Sequence, residues 1–397
     1  MRILVAWDDP AQADLLKMYL GVNGNDAEIV CDGNRLLQHL SHGEPWDAIL
    51  LTTTAPSVDR AFEIFEAARK LAPETPIIGA CPESDVYRIA RFLTAGLRGY
   101  VIRDRAGDFM FLLQAVIEGA IRQAHAERER IIAERLRREI DSVRRLQETI
   151  IPRDIESPDG YDIVARYESS QIRVIGGQPV TLAGGDYYDA FAISDDSLVL
   201  IVGDASGHGM KACMSIMTMH TLIRMVRSNR FRNTADFVAH VNNELCQQAI
   251  VNEDGGFITL LYGILDTRNH VLEWTSAGHP VPLLQDLAAN EITPAGDEEA
   301  PGLPLGVLPD ADYLVCRTPV PPGSRLLMYT DGLAEAFNSD ADNHREFGEK
   351  GLRRTLSETC GDDLRQTMQA LFDASHAFTD GHGRHDDTSV LLLQRDR

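Results

Sequence analysis

The chain has 397 residues, 44% of them hydrophobic and 25% charged, enough for two domains that each bury a core. Its 38 Lys and Arg against 60 Asp and Glu leave a net charge of −22 at pH 7, which argues against a nucleic-acid-binding surface. No uncharged apolar run approaches the ~18 residues of a membrane span, the N-terminus lacks the basic and apolar regions of a secretion signal, and the six scattered cysteines form no Cys-x-x-Cys pair, so a reduced, cytoplasmic setting is expected.

Residues 1–104 alternate short apolar runs with helical patterns. Strands are expected at Ile3–Trp7, Ala27–Cys31, Ala48–Thr52, Ile77–Cys81 and Gly99–Ile102, with helices near 10–21, 34–41, 59–71 and 85–96. Such βα units imply a parallel sheet covered on both faces. Their order and lengths, with Pro56 and Asp59 after the third strand and Ala95-Gly96 before the fifth, resemble a response-regulator receiver domain with a flavodoxin-like sheet. Asp8 and Asp9 match the acidic pair that holds Mg²⁺ in receivers, or they are loop residues capping the first helix. Thr52 falls where the phosphoacceptor aspartate belongs, Asp47 lies at the wrong end of the strand, Cys81 replaces the usual Thr or Ser and Arg103 the usual Lys. A threonine cannot form the labile acyl phosphate, so this domain is read as a pseudo-receiver.

Residues 105–152 are expected to be a helical linker. Apolar residues recur at three- and four-residue spacing from Leu113 through Ile121, Ile131/Ile132, Leu136, Val143 and Leu146 to Ile150, between many Arg and Glu. The pattern suits a coiled coil joining two copies, or a single amphipathic helix packed on its own domain. Pro152 ends it. Residues 153–397 form the third region, with strands expected at 161–168, 189–193, 197–204, 257–266, 270–277, 313–319, 324–330 and 388–394 and helices at 209–228, 234–250, 345–358 and 362–377, an α+β pattern. The Pro- and acid-rich stretch 286–304 reads as a surface loop, and Gly176-Gly177 as a hairpin turn.

This last region carries Gly184-Gly185-Asp186-Tyr187-Tyr188-Asp189, Gly203-Asp204-Ala205-Ser206-Gly207-His208-Gly209, Ala277-Gly278-His279-Pro280, Pro304-Leu305-Gly306, Tyr329-Thr330-Asp331-Gly332-Leu333-Ala334-Glu335 and Asp386-Asp387-Thr388-Ser389-Val390. Asp204, Asp331 and Asp386 sit where an apolar run meets a polar or Gly-rich turn, a place where a fold holds a side chain rigid yet accessible. Carboxylates drawn together repel by about 4 kcal/mol per pair at ~4 Å and an effective dielectric of ~20, so such a cluster calls for cations, and oxygen ligands select Mg²⁺ or Mn²⁺.

In these motifs and their order, residues 145–396 resemble the bacterial PP2C-like serine/threonine phosphatases of the SpoIIE/RsbU type. The resemblance implies a β-sandwich flanked by helices, with two Mn²⁺ or Mg²⁺ ions that activate a water to attack phosphorus in line. It implies that Asp204 bridges both ions with the Ala205 carbonyl as a further ligand, that Asp186 binds the second ion and Asp331 the first, and that Asp386 or Asp387 supplies the last position, Asp386 being favoured. His208 is a candidate proton donor to the leaving group or a packing residue of its turn; His279 reads as structural, and His382 and His385 as loop histidines. Ser206 lies outside any Gly-x-Ser-x-Gly context, which excludes a serine hydrolase. Ser169–Ala183 is longer than the family pattern, as a lid or as a longer strand pair. The substrate implied is a phosphorylated protein, a small anti-sigma-factor antagonist, and the chain is expected to be a homodimer through its linker. A non-enzymatic adaptor that binds a sigma factor or another regulator is the alternative.

Overall fold

The computed structural model describes the chain except for residues 23, 105–106, 173–179, 182–183, 208, 227–230, 253–254, 298–299, 339–344, 380–385 and 397. The first unit, Met1–Leu136, is built on the apolar runs β1 (Arg2–Ala6), β2 (Asp26–Val30), β3 (Ala48–Thr52), β4 (Ile77–Pro82) and β5 (Gly99–Arg103). All five pair in parallel in the order β2-β1-β3-β4-β5. This is a doubly wound arrangement, with the chain reversing direction across the sheet between β1 and β3. Helices α1 (Pro10–Val22), α2 (Gly33–Ser41), α3 (Val58–Leu71), α4 (Ile89–Thr94) and α5 (Phe109–Ile150) connect or follow these strands. Two apolar cores result: Leu36, Phe65 and Phe92 pack on one face of the sheet, and Leu16, Leu20, Phe109 and Leu113 on the other. Where a helix was expected at 85–96, a 3₁₀ turn over Glu83–Arg88 precedes α4.

The second unit is Arg137–Arg397 and takes in the end of α5. One sheet contains β7 (Asp186–Ser194), β8 (Ser197–Ala205), β9 (Ile258–Asp266) and β10 (Val271–Ala277) side by side and antiparallel, with β13 (Cys316–Pro319) antiparallel and the short Pro301–Gly302 parallel on β10. The other has the order β12 (Glu291–Pro294), β11 (Leu283–Asp286), β14 (Ser324–Tyr329), β15 (Thr388–Arg395), β6 (Tyr161–Glu168). Leu198, Leu200, Val202, Leu326, Met328, Leu391 and Leu393 meet between them in one buried core, so the unit is a β-sandwich. Helices α6 (Met210–Met225) and α7 (Thr234–Leu245) pack apolar faces on the first sheet. Helices α9 (Gly348–Glu358) and α10 (Leu364–Phe378), with the short α8 (Asp331–Ala334), cover the second.

The stretch expected to be a surface loop, 286–304, instead begins within a hairpin: β11 and β12 pair and extend the second sheet through β11 and β14. Both strands are short and Pro-flanked, and pairing with a buried neighbour, not local propensity, makes them strands. The Gly176-Gly177 turn lies outside the described residues, although Gln171–Ile172 and Val180–Thr181 pair across it.

Candidate metal-binding site

The acidic residues converge because four strand ends meet at one end of the sandwich. In the first sheet β7 begins at Asp186 opposite the end of β8, with Asp204 in register with Asp186. In the second sheet β14 delivers Thr330 and Asp331, and β15 follows directly on Asp386 and Asp387. Two close approaches permit this. A Cβ on Gly185 would lie 2.6 Å from the Ala205 carbonyl oxygen and 2.9 Å from Asp204 Oδ1, and one on Gly332 would lie 1.9 Å from the Asp387 carbonyl oxygen. Only glycine lets these backbones pass so near the acids.

Asp204 is the centre of the group. It shares a side-chain hydrogen bond with Asp186, and its carboxyl is pushed up to about 8 by burial and then by the charges of Asp331 and Asp386. Burial, and then Asp204, raise Asp186 well above the ordinary carboxylate range. Asp331 is raised by burial and by Asp386, and its Oδ1 is buried without a hydrogen-bond partner. Acids that raise one another, one of them with a buried oxygen left without a hydrogen bond, fit a divalent cation. Among the described residues no group of three or more Asp, Glu, His or Cys side chains is placed to hold one ion by itself. An ion here would complete its shell with water and backbone oxygen, as Mg²⁺ commonly does.

Asp386 and Asp387 part company. Asp387 is buried, and its carboxylate accepts from the Ser170 N–H and the Gly185 N–H, each at 2.7 Å, and from the Tyr167 hydroxyl at 3.4 Å. It ties β6 and the Gly184-Gly185 turn to β15. Asp386 is exposed and is the member of the pair that raises Asp331. Two supporting side chains had no role at the site assigned from the sequence. Thr330 Oγ1 donates to Asp186 Oδ2 at 2.6 Å and accepts from the Ser389 N–H at 2.8 Å, bridging the two sheets. Gln147, near the end of α5, accepts from the Gly184 N–H at 2.9 Å and donates to the Gly184 and Asp186 carbonyls at 3.0 and 3.2 Å.

The other motif residues brace the site. Leu305 exchanges backbone hydrogen bonds with Ile258 on β9, beside β8. His279 is buried, its ring lowered to about 3 by burial, and its Nδ1 lies 3.0 Å from Thr259 Oγ1 beneath Asp204. Ser206 is a turn clamp: its Oγ accepts from the Phe257 N–H at 2.9 Å. His208, His382 and His385 lie outside the described residues.

In the first unit Asp8 pairs with Arg103 at 2.6 Å, and Arg103 also donates to Gln12 and lies over the Trp7 ring. Asp9 caps α1 by accepting from the Ala11 and Gln12 N–H groups. Thr52 is buried at the end of β3, Cys81 is buried with its thiol raised by burial, and Asp47 holds the Arg2 N–H at the opposite end of the sheet. The crevice beside Thr52 measures about 200 Å³ and is lined by Trp7, Asp8, Asp32, Thr52, Pro56 and Ile64, among others.

The family model described as Stage II sporulation protein E (SpoIIE) matches residues 194–396, half of the chain. The chain belongs to the SpoIIE family. It is 23% identical over 317 residues to phosphoserine phosphatase RsbU of Bacillus subtilis, covering 79% of this chain and 87% of that protein. It is 25% identical over 274 residues to protein IcfG of Synechocystis, covering 62% of this chain and 40% of IcfG, so it spans less than half of that relative's length. Among solved structures, the RsbU and RsbW domains of a Mycobacterium tuberculosis protein align with a TM-score of 0.50 at 25% identity, over 62% of this chain and 63% of that one. The SiaA PP2C domain of Pseudomonas aeruginosa shares the fold, with a TM-score of 0.53 at 16% identity over 67% of this chain and 99% of that one.

Proposed function

We propose that this SpoIIE-family chain is a metal-dependent protein phosphatase that hydrolyses phosphoserine or phosphothreonine. The observation that carries the reading is the gathering of Asp186, Asp204, Asp331 and Asp386 from both sheets at one end of the sandwich, where Asp204 is raised by Asp331 and Asp386 and Asp186 by Asp204, with Asp331 Oδ1 buried and unpartnered. Asp204, Asp186, Asp331 and Asp386 are the groups that would hold Mn²⁺ or Mg²⁺, with the Ala205 carbonyl beside them. Two such ions supply charge neutralisation at phosphate oxygens and acidify water. The chain's own part is positioning: Gly185 admits Ala205 and Asp204, Thr330 orients Asp186, and Asp387 holds the Gly184-Gly185 turn. Ser206 Oγ, the hydroxyl of the Asp204 turn, is engaged as acceptor by the Phe257 N–H, and the proposed reaction is direct hydrolysis by water.

The substrate is a phosphorylated protein of a partner-switching pathway, a small anti-sigma-factor antagonist, as the motif resemblance implies; the similarity to phosphoserine phosphatase RsbU supports phosphoserine as the group hydrolysed. Regulation comes from the first unit, a receiver-like domain that does not accept phosphate: Thr52 stands at the end of β3, and Asp8 and Asp9 are committed to Arg103 and to α1. Ile131, Ile132 and Leu136 are at least half exposed on α5 among charged residues, which favours pairing of two chains through this helix. Among the described residues no helix is long and apolar enough to cross a membrane.

Phosphate release from an aryl phosphate and a phosphoserine peptide, with Mn²⁺, with Mg²⁺ and with chelator, tests the reading. Metal-dependent turnover that Asp204→Ala abolishes is expected. Silence of both the full chain and residues 145–397 refutes it.

A further inference from the structure

We propose that Tyr187, Asp189, His220 and Arg224 form a positioning network that sets the spacing of Asp186 and Asp204. The inference rests on reading those two aspartates as metal ligands. Along β7 side chains alternate between faces. Asp186 turns towards Thr330 of the opposite sheet, whereas Tyr187 and Asp189 turn towards α6. His220 and Arg224 stand four residues apart on α6 and so share one face of it.

The polar groups form one directed chain. Arg224 Nη2 lies 2.6 Å from Asp189 Oδ2. Tyr187 Oη donates to the same oxygen at 2.7 Å and lies 2.7 Å from His220 Nδ1, which therefore carries the proton. Burial lowers His220, consistent with a neutral ring. Arg224 also covers the Phe191 ring, with its Cζ 3.9 Å from the centroid. Asp189 is fully buried, and its Oδ1 finds no partner among the described residues.

Stability alone does not explain this. Asp189 is buried but the Arg224 side chain is 42% exposed, and an ion pair open to solvent on one side adds little stability; the rest of the α6 contact with the sheet is already apolar, through Ala212, Ile216, Met219 and Ile223. What the ion pair adds is direction. Apolar contacts let a helix slide by a fraction of a turn, whereas Arg224 and His220 reach Asp189 and Tyr187 at one register only. That register matters because α6 begins at Met210, a few residues after Asp204, while Tyr187 and Asp189 share a strand with Asp186. The network thus joins the element that follows one ligand to the element that starts at the other. The four residues act through Asp186 and Asp204 and touch no reacting group themselves.

Mn²⁺ binding to the full chain, followed by titration calorimetry, tests this, with thermal unfolding in chelator alongside. Arg224→Gln and Tyr187→Phe are each expected to weaken Mn²⁺ binding by about tenfold, the effect typical of residues that orient metal ligands. Arg224→Lys, which keeps the charge, should recover part of the loss. Wild-type Mn²⁺ affinity in folded Tyr187→Phe and Arg224→Gln, whatever their unfolding temperature, overturns the proposal. If Arg224→Gln does not fold, Tyr187→Phe, which removes a single hydroxyl, decides. Asp204→Asn is the control: if it abolishes binding while the network variants do not, only the network fails, and if it also binds normally, the metal reading itself falls.

Discussion

Gln147 offers the sharpest test of how α5 reaches the acidic site. Its side-chain amide makes three hydrogen bonds to the backbone of Gly184 and Asp186, all buried, and the residue is 1% exposed. Gln147→Leu preserves bulk but removes every one of them. A buried hydrogen bond contributes about 0.5–1.5 kcal/mol net, and an N–H left buried without a partner costs roughly 1–3 kcal/mol. If the contact stayed closed, the total would be on the order of 2–5 kcal/mol. The cheaper response is to release the end of α5 from the Gly184-Gly185 turn and let water satisfy those groups. The expected phenotype is therefore local. Turnover of an aryl phosphate falls about tenfold or more at limiting Mn²⁺ and recovers in part at high Mn²⁺, while amide exchange at 184–186 speeds up with the β8 and β9 amides unchanged. Gln147→Glu keeps an acceptor for the Gly184 N–H but sets a charge near Asp186, so it should be no better. Wild-type turnover and exchange in Gln147→Leu would refute the coupling of α5 to the site.

Three further outcomes follow from the same geometry. Asp387→Asn should lower the unfolding temperature by roughly 5–10 °C, because an amide nitrogen then faces one of the N–H donors, whereas Asp386→Asn should leave stability in chelator nearly unchanged and weaken Mn²⁺ binding; the opposite pattern would exchange their roles. Asp204 has its carboxyl raised to about 8, so it adds stability at pH below the ordinary carboxylate range and loses it as pH rises through that value. In chelator the unfolding temperature should fall between pH 5 and pH 8 by an amount on the order of 5 °C, Mn²⁺ should restore more of it at pH 8 than at pH 5, and Asp204→Asn should flatten the metal-free profile. Finally, on the pseudo-receiver reading, in which Thr52 takes the acceptor position, incubation with acetyl phosphate and Mg²⁺ should leave no labile phosphate on the first unit; a modified Asp8 or Asp9 in mass spectra would overturn that reading.

Much of the fold is legible because strand burial is written as runs such as Leu198–Val202, and because a Gly-flanked acid at the end of such a run marks an accessible carboxylate. The failures have physical causes. Helical periodicity placed Leu146 on an apolar stripe, yet Leu146 is 54% exposed and its neighbour Gln147 is buried. Hydropathy treats an amide as outward-facing, and nothing local reveals that unpaired backbone groups at Gly184 and Asp186 require it inside. Asp386 and Asp387 are chemically identical neighbours, so only the donors that surround Asp387 distinguish them. The β11–β12 hairpin is polar and Pro-flanked and becomes sheet because β14 offers a buried edge.

The acidic site and the closure of the sandwich are one problem. Asp186 and Asp204 come from one sheet and Asp331 and Asp386 from the other, so bringing the sheet ends together brings the carboxylates together. Their repulsion opposes closure, while Thr330 on Asp186 and Asp387 on Gly185 and Ser170 favour it. Without a cation the conflict is met by protonation, which is why Asp186 and Asp204 share a hydrogen bond and are raised together. On the proposed metal reading, a divalent ion would remove the repulsion without adding a proton, which would link ion binding thermodynamically to closure of this end of the sandwich. Any element that holds the Gly184–Asp186 segment can then alter the affinity for the ion without touching it. Gln147 of α5 and Tyr187 beneath α6 are both placed to do so, one on each side of Asp186.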